Sequence, residues 1–207
     1  MTFYNQIRNF FFLFLFCLNL QAQNTSDPVK EVIVSDLDKQ FIMNYFEAER
    51  YKILEEYRDA ILHYQKCVSI IPEEPSPHYQ IGHLQLHVFN ELDDAEYNIK
   101  QAVFLSPETE WFYYDLLTIY RIQNNLDKQL NAYEKLIEFN SEEEFYYLEI
   151  IRILKEQEDY RGAHKFIKKT EKAFGPRSEL LLLQKDIYVQ QNNLKEAEKI
   201  AKKLIKT

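Results

Sequence analysis

Small and apolar residues recur along this chain in a fixed phase. Ala60, Ala95, Gln129, Ala163 and Ala197 lie 35, 34, 34 and 34 residues apart. Three residues before each stands Tyr57, Leu92, Leu126, Tyr160 or Leu194, and four after stands Tyr64, Ile99, Tyr133, Ile167 or Ala201. Seven after come Cys67, Ala102, Leu136, Thr170 and Leu204. Offsets of −3, 0, +4 and +7 trace one face of an α-helix, so each period predicts one helix buried along that stripe. Tyr51, Tyr120, Leu154 and Tyr188 fall nine residues before the small position, on a second predicted helix that precedes the first in each period. Ala48, Gly82, Leu117 and Ile151 sit where that helix approaches its neighbour. Polar triplets such as Gln123-Asn124-Asn125 and Gln191-Asn192-Asn193 separate the two helices. Pro72, Pro107 and Gly175-Pro176 close units where a helix has to stop, and Ser141 takes that place in the third. The single interval of 35 predicts one extra residue in the turn between the helices of the second unit.

Period and residues together resemble the tetratricopeptide repeat (TPR), a 34-residue unit that reads W-x₂-L-G-x₂-Y…A-x₃-F…P. The first unit carries Ala48-x₂-Tyr51, Ala60-x₃-Tyr64 and Pro72; the second carries Ile81-Gly82, Ala95-x₃-Ile99 and Pro107. Tyr113, Leu116, Tyr120 and Tyr133 mark the third, Tyr147, Ile150, Ala163 and Ile167 the fourth, and Tyr188, Ala197 and Ala201 the fifth. Gln129 and Lys185 depart from the small residue usual at their positions, and Gln129 is expected to loosen its helix pair. The resemblance implies an all-α, right-handed superhelical solenoid of about five TPR units, at about 41–74, 75–109, 110–143, 144–177 and 178–207. Pentatricopeptide repeats have a similar length but bind RNA, which the acidic charge opposes; Sel1-like repeats are richer in Gly and Ala than this chain.

In such an array each unit touches only its neighbours, and first helices line the concave side, a surface suited to a peptide or a helix. The resemblance places the groove at Tyr45, Glu49 and Lys52 in unit one and at Tyr79, His83 and Leu86 in unit two. Units three and four contribute Trp111, Tyr114, Thr118 and Arg121, then Phe145, Leu148 and Arg152; unit five contributes Leu182 and Asp186. Aromatic and Arg side chains dominate interface energetics, at about 2 kcal/mol or more for a hot spot. Phe145 is read as a ring that packs between units, and Trp111 and Tyr114 stand open between packing and docking. Some TPR proteins clamp a partner's C-terminal carboxylate with Lys, Asn and Arg. Tyr45 and Glu49 occupy the Lys and Asn positions, which speaks against that clamp.

Residues 1–22 read as a secretory signal. Arg8 supplies a positive start, and Phe10 to Leu18 form an apolar run too short for a bilayer span of roughly 20 residues. The Gln21-Ala22-Gln23 ending resembles signal ends of secreted Bacteroidetes proteins and predicts cleavage after Ala22, hence a periplasmic or secreted chain. Cys17 offers a lipoprotein alternative, against which Phe16 stands where a small residue is usual; a retained anchor is a third. Residues 23–40 read as a tether and cap, with β-prone Val29 to Val34 and a helix starting near Asp36 behind Ser35.

Net charge is −8, with a balance of −16 over residues 24–159 and +7 over 160–207. An acidic body excludes general nucleic-acid binding, which needs a basic footprint. The basic end reads as a solvated last helix, with self-association through opposite ends as the alternative. Cys67 is the one thiol left after signal removal, so no internal disulfide is expected. Three glycines leave no phosphate-cradling loop, and G-x-S-x-G, Walker and C-x-x-C motifs are missing. Asp93-Asp94 and Glu142 to Glu144 read as helix-start carboxylates rather than an acid/base pair. His83 and His87 share one helical face, but a metal needs three or four ligands and no HExxH is present. They are read as ordinary interface histidines, with a metal-binding or hydrolytic envelope protein as the alternative; His63, His78 and His164 are scattered. The prediction is a non-catalytic scaffold or adaptor of the cell envelope with a protein or peptide partner, no cofactor, no metal, no nucleic acid, and membrane contact only through an envelope complex.

Overall fold

The computed structural model describes residues 35–205. Among them are ten α-helices and no strand: α1 (Asp36–Ile53), α2 (Tyr57–Ile70), α3 (Pro75–Leu84), α4 (Leu92–Leu105), α5 (Glu110–Ile122), α6 (Leu126–Phe139), α7 (Glu144–Glu156), α8 (Tyr160–Phe174), α9 (Ser178–Gln190) and α10 (Leu194–Leu204). The expectations for the signal at residues 1–22, for Cys17 and for the tether up to residue 34 fall outside the described residues. Helices pair as five antiparallel-type hairpins, and each hairpin packs against the next, so the core is a row of interfaces rather than one centre. α1 runs unbroken from Asp36, so residues 36–40 belong to the first helix of unit one and form no separate cap.

Second helices bury the predicted stripe. Ala60, Tyr64 and Cys67 on α2, Ala95, Ile99 and Ala102 on α4, and Ala163 and Ile167 on α8 are closed to solvent or nearly so. Burying a large apolar side chain is worth about 1.5–3 kcal/mol, so each hairpin gains several such increments and no single residue holds the array. The hairpins close alike. Glu55, Asn90, Asn124, Glu158 and Asn192 take positive φ angles of 51–62°, each five residues before its small position. In the first, third and fifth hairpins the chain then reverses by a backbone bond from the following residue to the helix end: Glu56 N–H to Tyr51 O at 2.9 Å, Asn125 to Tyr120 at 2.9 Å and Asn193 to Tyr188 at 2.8 Å.

The second unit corrects the placement of the extra residue. Asn90 holds the same place in its turn as Asn124 does, and the added residue lies upstream, in a π-helical turn at Gln85–Phe89 that extends α3. The closing bond there runs from Glu91 N–H to Gln85 O at 2.8 Å and spans six residues instead of five. An insertion in the turn would have forced a new loop; absorbed in the helix, it leaves the hairpin geometry intact and only rotates the last turn of α3.

Unit boundaries are tied by one recurring slot. His78 contacts Pro72 O through Nε2 at 3.1 Å, Tyr113 donates its hydroxyl to Pro107 O at 3.0 Å, and Tyr147 donates to Ser141 O at 3.2 Å. Each partner lies six residues upstream, which pins the inter-unit turn to the start of the next helix. Gln129 does not loosen its pair. It is buried, and its Nε2 donates to the Tyr120 carbonyl at 3.1 Å, so the amide both fills the space and satisfies itself. Gly82 is required by close approach: a Cβ there would lie 2.6 Å from Ile99 Cγ1 and 3.0 Å from the Ala95 carbonyl oxygen.

Candidate functional site

The odd-numbered helices are the first helices of their units, and their side chains meet across unit boundaries in a ladder. Lys52 on α1 donates to Glu49 at 2.9 Å and to Gln80 on α3 at 3.1 Å. Tyr79 on α3 stacks on Phe112 of α5, with ring centroids 4.7 Å apart. His83 Nδ1 lies 2.7 Å from Asp115 Oδ2 on α5, and His87 Nε2, from the π-helical turn, lies 2.9 Å from Oδ1 of the same carboxylate. Tyr114 of α5 and Tyr146 of α7 bond through their hydroxyls at 2.8 Å. Arg152 of α7 pairs with Glu149 on its own helix and with Glu179 on α9. The separations run from 27 to 33 residues in chain, under one repeat, because a side chain on one helix meets the next unit's helix up to two turns early.

The predicted groove residues divide into three groups. Trp111 (58 % exposed), Tyr114 (40 %) and Phe145 (45 %) present open rings, and Arg121 is exposed and makes no ion pair among the described residues. Phe145 thereby combines edge contacts to Tyr133 and Tyr146 with an open face. Tyr45, Glu49, Lys52, Tyr79, His83, Thr118 and Arg152 are half-buried and committed to neighbours. Tyr45 sits edge-on to Tyr64, and Tyr64 donates its hydroxyl to Glu49. Thr118 donates to the Tyr114 carbonyl at 2.9 Å. Leu148, expected in the groove, is only 6 % exposed and belongs to the core, as does Leu86. Leu182 keeps 45 % exposure on α9, and Asp186 on the same helix is half-buried and pairs with Lys185 at 3.3 Å.

Asp115, Gln80, Tyr146, Glu149 and Glu179 also belong to this face, and no motif marks them. The signal that finds them is a polar or aromatic residue about 27–32 positions after another one on a first helix. Asp115 is the clearest case, at 7 % exposure among the apolar residues of α5. Burial pushes its carboxyl up, but the hydrogen bonds and charges of His83 and His87 outweigh that and hold it below the usual carboxylate range. Burial and the neighbouring Asp115 raise the Tyr79 phenol. Burial first, then Glu49, lifts Tyr45 to about 12. These phenols are neutral donors throughout the physiological range, so the face offers hydrogen-bonding rings rather than nucleophiles. A depression of about 530 Å³ lined by Leu130, Ile150, Leu154, Phe166, Lys165 and Lys169 lies among α6, α7 and α8, away from the ladder.

No family model matches the sequence, and no curated protein matches it at a significant level. Solved structures do. A MamA crystal structure superposes with a TM-score of 0.58 at 16 % identity, covering 81 % of this chain and 91 % of that one. YrrB, described as a TPR protein with an unusual peptide-binding site, gives 0.59 at 15 %, with coverage of 82 % and 87 %. MamA from Desulfovibrio magneticus RS-1, residues 41 to the end, gives 0.54 at 12 %, with coverage of 81 % and 94 %. The chain has the TPR fold. At these identities the likeness rests on backbone path, and it carries no statement about the surface side chains of this chain.

Proposed function

We propose that this TPR solenoid is a non-catalytic scaffold that docks a peptide or helix of a protein partner on the face of its first helices. The observation that carries the reading is the set of open rings at Trp111, Tyr114 and Phe145, with Arg121 exposed on the same helix as the first two and in no ion pair among the described residues, on first helices tied to one another by the ladder. Rigid aromatic anchors lose little entropy on binding, and an exposed Arg outside the ion pairs of the described residues can reach a carboxylate or carbonyl. YrrB, which shares the fold, has a peptide-binding site. The described residues hold no helix long and apolar enough to cross a membrane. With the signal-like start of the sequence, the setting proposed is the periplasm or the exterior, in an envelope complex.

The test is site-specific photo-crosslinking in cells. A photoreactive phenylalanine at Trp111 or Tyr114 is compared with one at Tyr97, which is exposed on the second helix α4. A discrete adduct from the first two positions and none from Tyr97 is expected, with mass spectrometry naming the bound segment. Equal adducts from all three positions, or none from Trp111 and Tyr114, overturn the reading. A contact made by rings predicts weak salt dependence, whereas contact through the basic last helix predicts strong dependence.

A further inference from the structure

Two histidines on one helix were insufficient for a metal on sequence grounds, because a third ligand was lacking. Folding supplies it. His83, His87 and Asp115 each offer one ligand atom, and the three atoms lie within 4.8 Å of one another. The two imidazole rings are 4.4 Å apart between centroids, and the carboxylate reaches one ring with each oxygen. We propose that these three side chains form a binding site for a zinc-class divalent transition metal, with a further coordination position open to water or a partner side chain.

Donor type selects the metal class. Two imidazole nitrogens and one carboxylate oxygen suit Zn²⁺, Ni²⁺, Cu²⁺ or Fe²⁺, whereas Ca²⁺ and Mg²⁺ take mostly oxygen. Tetrahedral bonds of about 2.0–2.1 Å put ligand atoms roughly 3.3 Å apart. The nitrogen–oxygen separations of 2.7 Å (His83 to Oδ2) and 2.9 Å (His87 to Oδ1) therefore open by about half an ångström, and the wider separations in the trio, up to 4.8 Å, close towards the same value as the side chains rotate around the ion. Burial supplies the drive. The Asp115 side chain is 11 % exposed, and a buried carboxylate needs charge nearby; the imidazoles give it hydrogen bonds, and a divalent ion held among the three adds full compensation. Access comes from the histidines, whose side chains are 40 % and 43 % exposed.

Two further features mark the place. The only interruption of the 34-residue period, the π-helical turn at Gln85–Phe89, carries His87 and sets how that ring faces α5. Such turns interrupt α-helices frequently at functional sites. Beside it, the Tyr79 hydroxyl lies 3.4 Å from His83 Nδ1 while its ring is fixed on Phe112, walling one side of the cluster. The site joins units two and three, so a bound ion clips two repeats together.

The test uses the untagged full-length chain, because an affinity tag of histidines would bind the probe. Titration with Co²⁺ alone is expected to give visible absorption bands of a nitrogen- and oxygen-ligated ion at one equivalent, displaced by Zn²⁺. Single substitutions His83→Ala, His87→Ala and Asp115→Asn each weaken binding by more than about 100-fold, beyond the roughly 10–100-fold that loss of outer-shell support costs. His63→Ala and His164→Ala leave it unchanged. Should the site variants misfold by circular dichroism, diethyl pyrocarbonate labelling of the unaltered chain decides: Zn²⁺ protects His83 and His87 but not His164. Failure to bind one equivalent, binding retained without His83 and His87, or no protection overturns the proposal and leaves a hydrogen-bonded His–Asp–His cluster only. None of these outcomes depends on whether the rings at Trp111 and Tyr114 dock a partner.

Discussion

Substituting Gly82 by Ala sets two effects of known sign against each other. In an exposed helix interior Ala is favoured over Gly by about 1 kcal/mol. Gly82, however, lies at the crossing of α3 and α4, where the new methyl group meets Ile99 Cγ1 at 2.6 Å and both the Ala95 carbonyl oxygen and the Ile99 amide nitrogen at 3.0 Å. Ile99 is completely buried, so its side chain has nowhere to turn, and the other two contacts are backbone. Relief requires moving α4 away from α3. Overpacking typically costs about 1–3 kcal/mol, and backbone contacts place this case towards the upper end. The net expectation is destabilisation by about 1–2 kcal/mol. Urea unfolding followed by far-ultraviolet circular dichroism reads the total. Because units interact only with neighbours, hydrogen exchange is expected to rise in α3 and α4 and to stay unchanged in α9 and α10. A variant as stable as the parent, or one whose exchange rises equally throughout, refutes the reasoning that close approach fixes glycine here.

Three other outcomes follow from the same geometry. Glu158 holds a left-handed turn at φ 60° where Asn124 and Asn192 stand in other units, so Glu158→Gly is expected to raise the urea midpoint by about 1 kcal/mol equivalent; an unchanged or lowered midpoint counts against it. Burial lifts the Cys67 thiol to about 11, and the Tyr120 and Tyr133 phenols to about 12. Each is an acid whose folded value lies above its unfolded one, near 9 for the thiol and 10 for the phenols. Their stabilisation is therefore full below pH 9 and falls as pH rises through 9 to 12, which unfolding at a series of alkaline pH values checks; constant stability up to pH 12 contradicts it. Trp111→Ala is expected to leave the fold intact, since the ring is 58 % exposed, while weakening the docked partner by about 2 kcal/mol; calorimetry with the crosslinked segment as a synthetic peptide measures both.

The chain itself determined the repeat. The phase of Ala60, Ala95, Ala163 and Ala197, the Asn-rich turns and the closing prolines are local or nearest-neighbour features, and helix periodicity expresses them directly in the order of residues. Tertiary structure decided what lies between units. The added residue of unit two could sit in the turn or in the helix, and the hydrogen bond that closes the hairpin settles it as a π-helical turn. Gln129 looked like a weak point until the Tyr120 carbonyl stood opposite it, and Leu148 looked accessible until α7 turned it inward. Asp115 carried no signal of its own, being a single carboxylate in the apolar middle of α5; it acquires chemistry only because the preceding unit's first helix brings two imidazoles to it across about 30 residues of chain. Periodicity is written along one helix, whereas contacts between helices depend on how two faces are rotated against each other, and only packing sets that rotation.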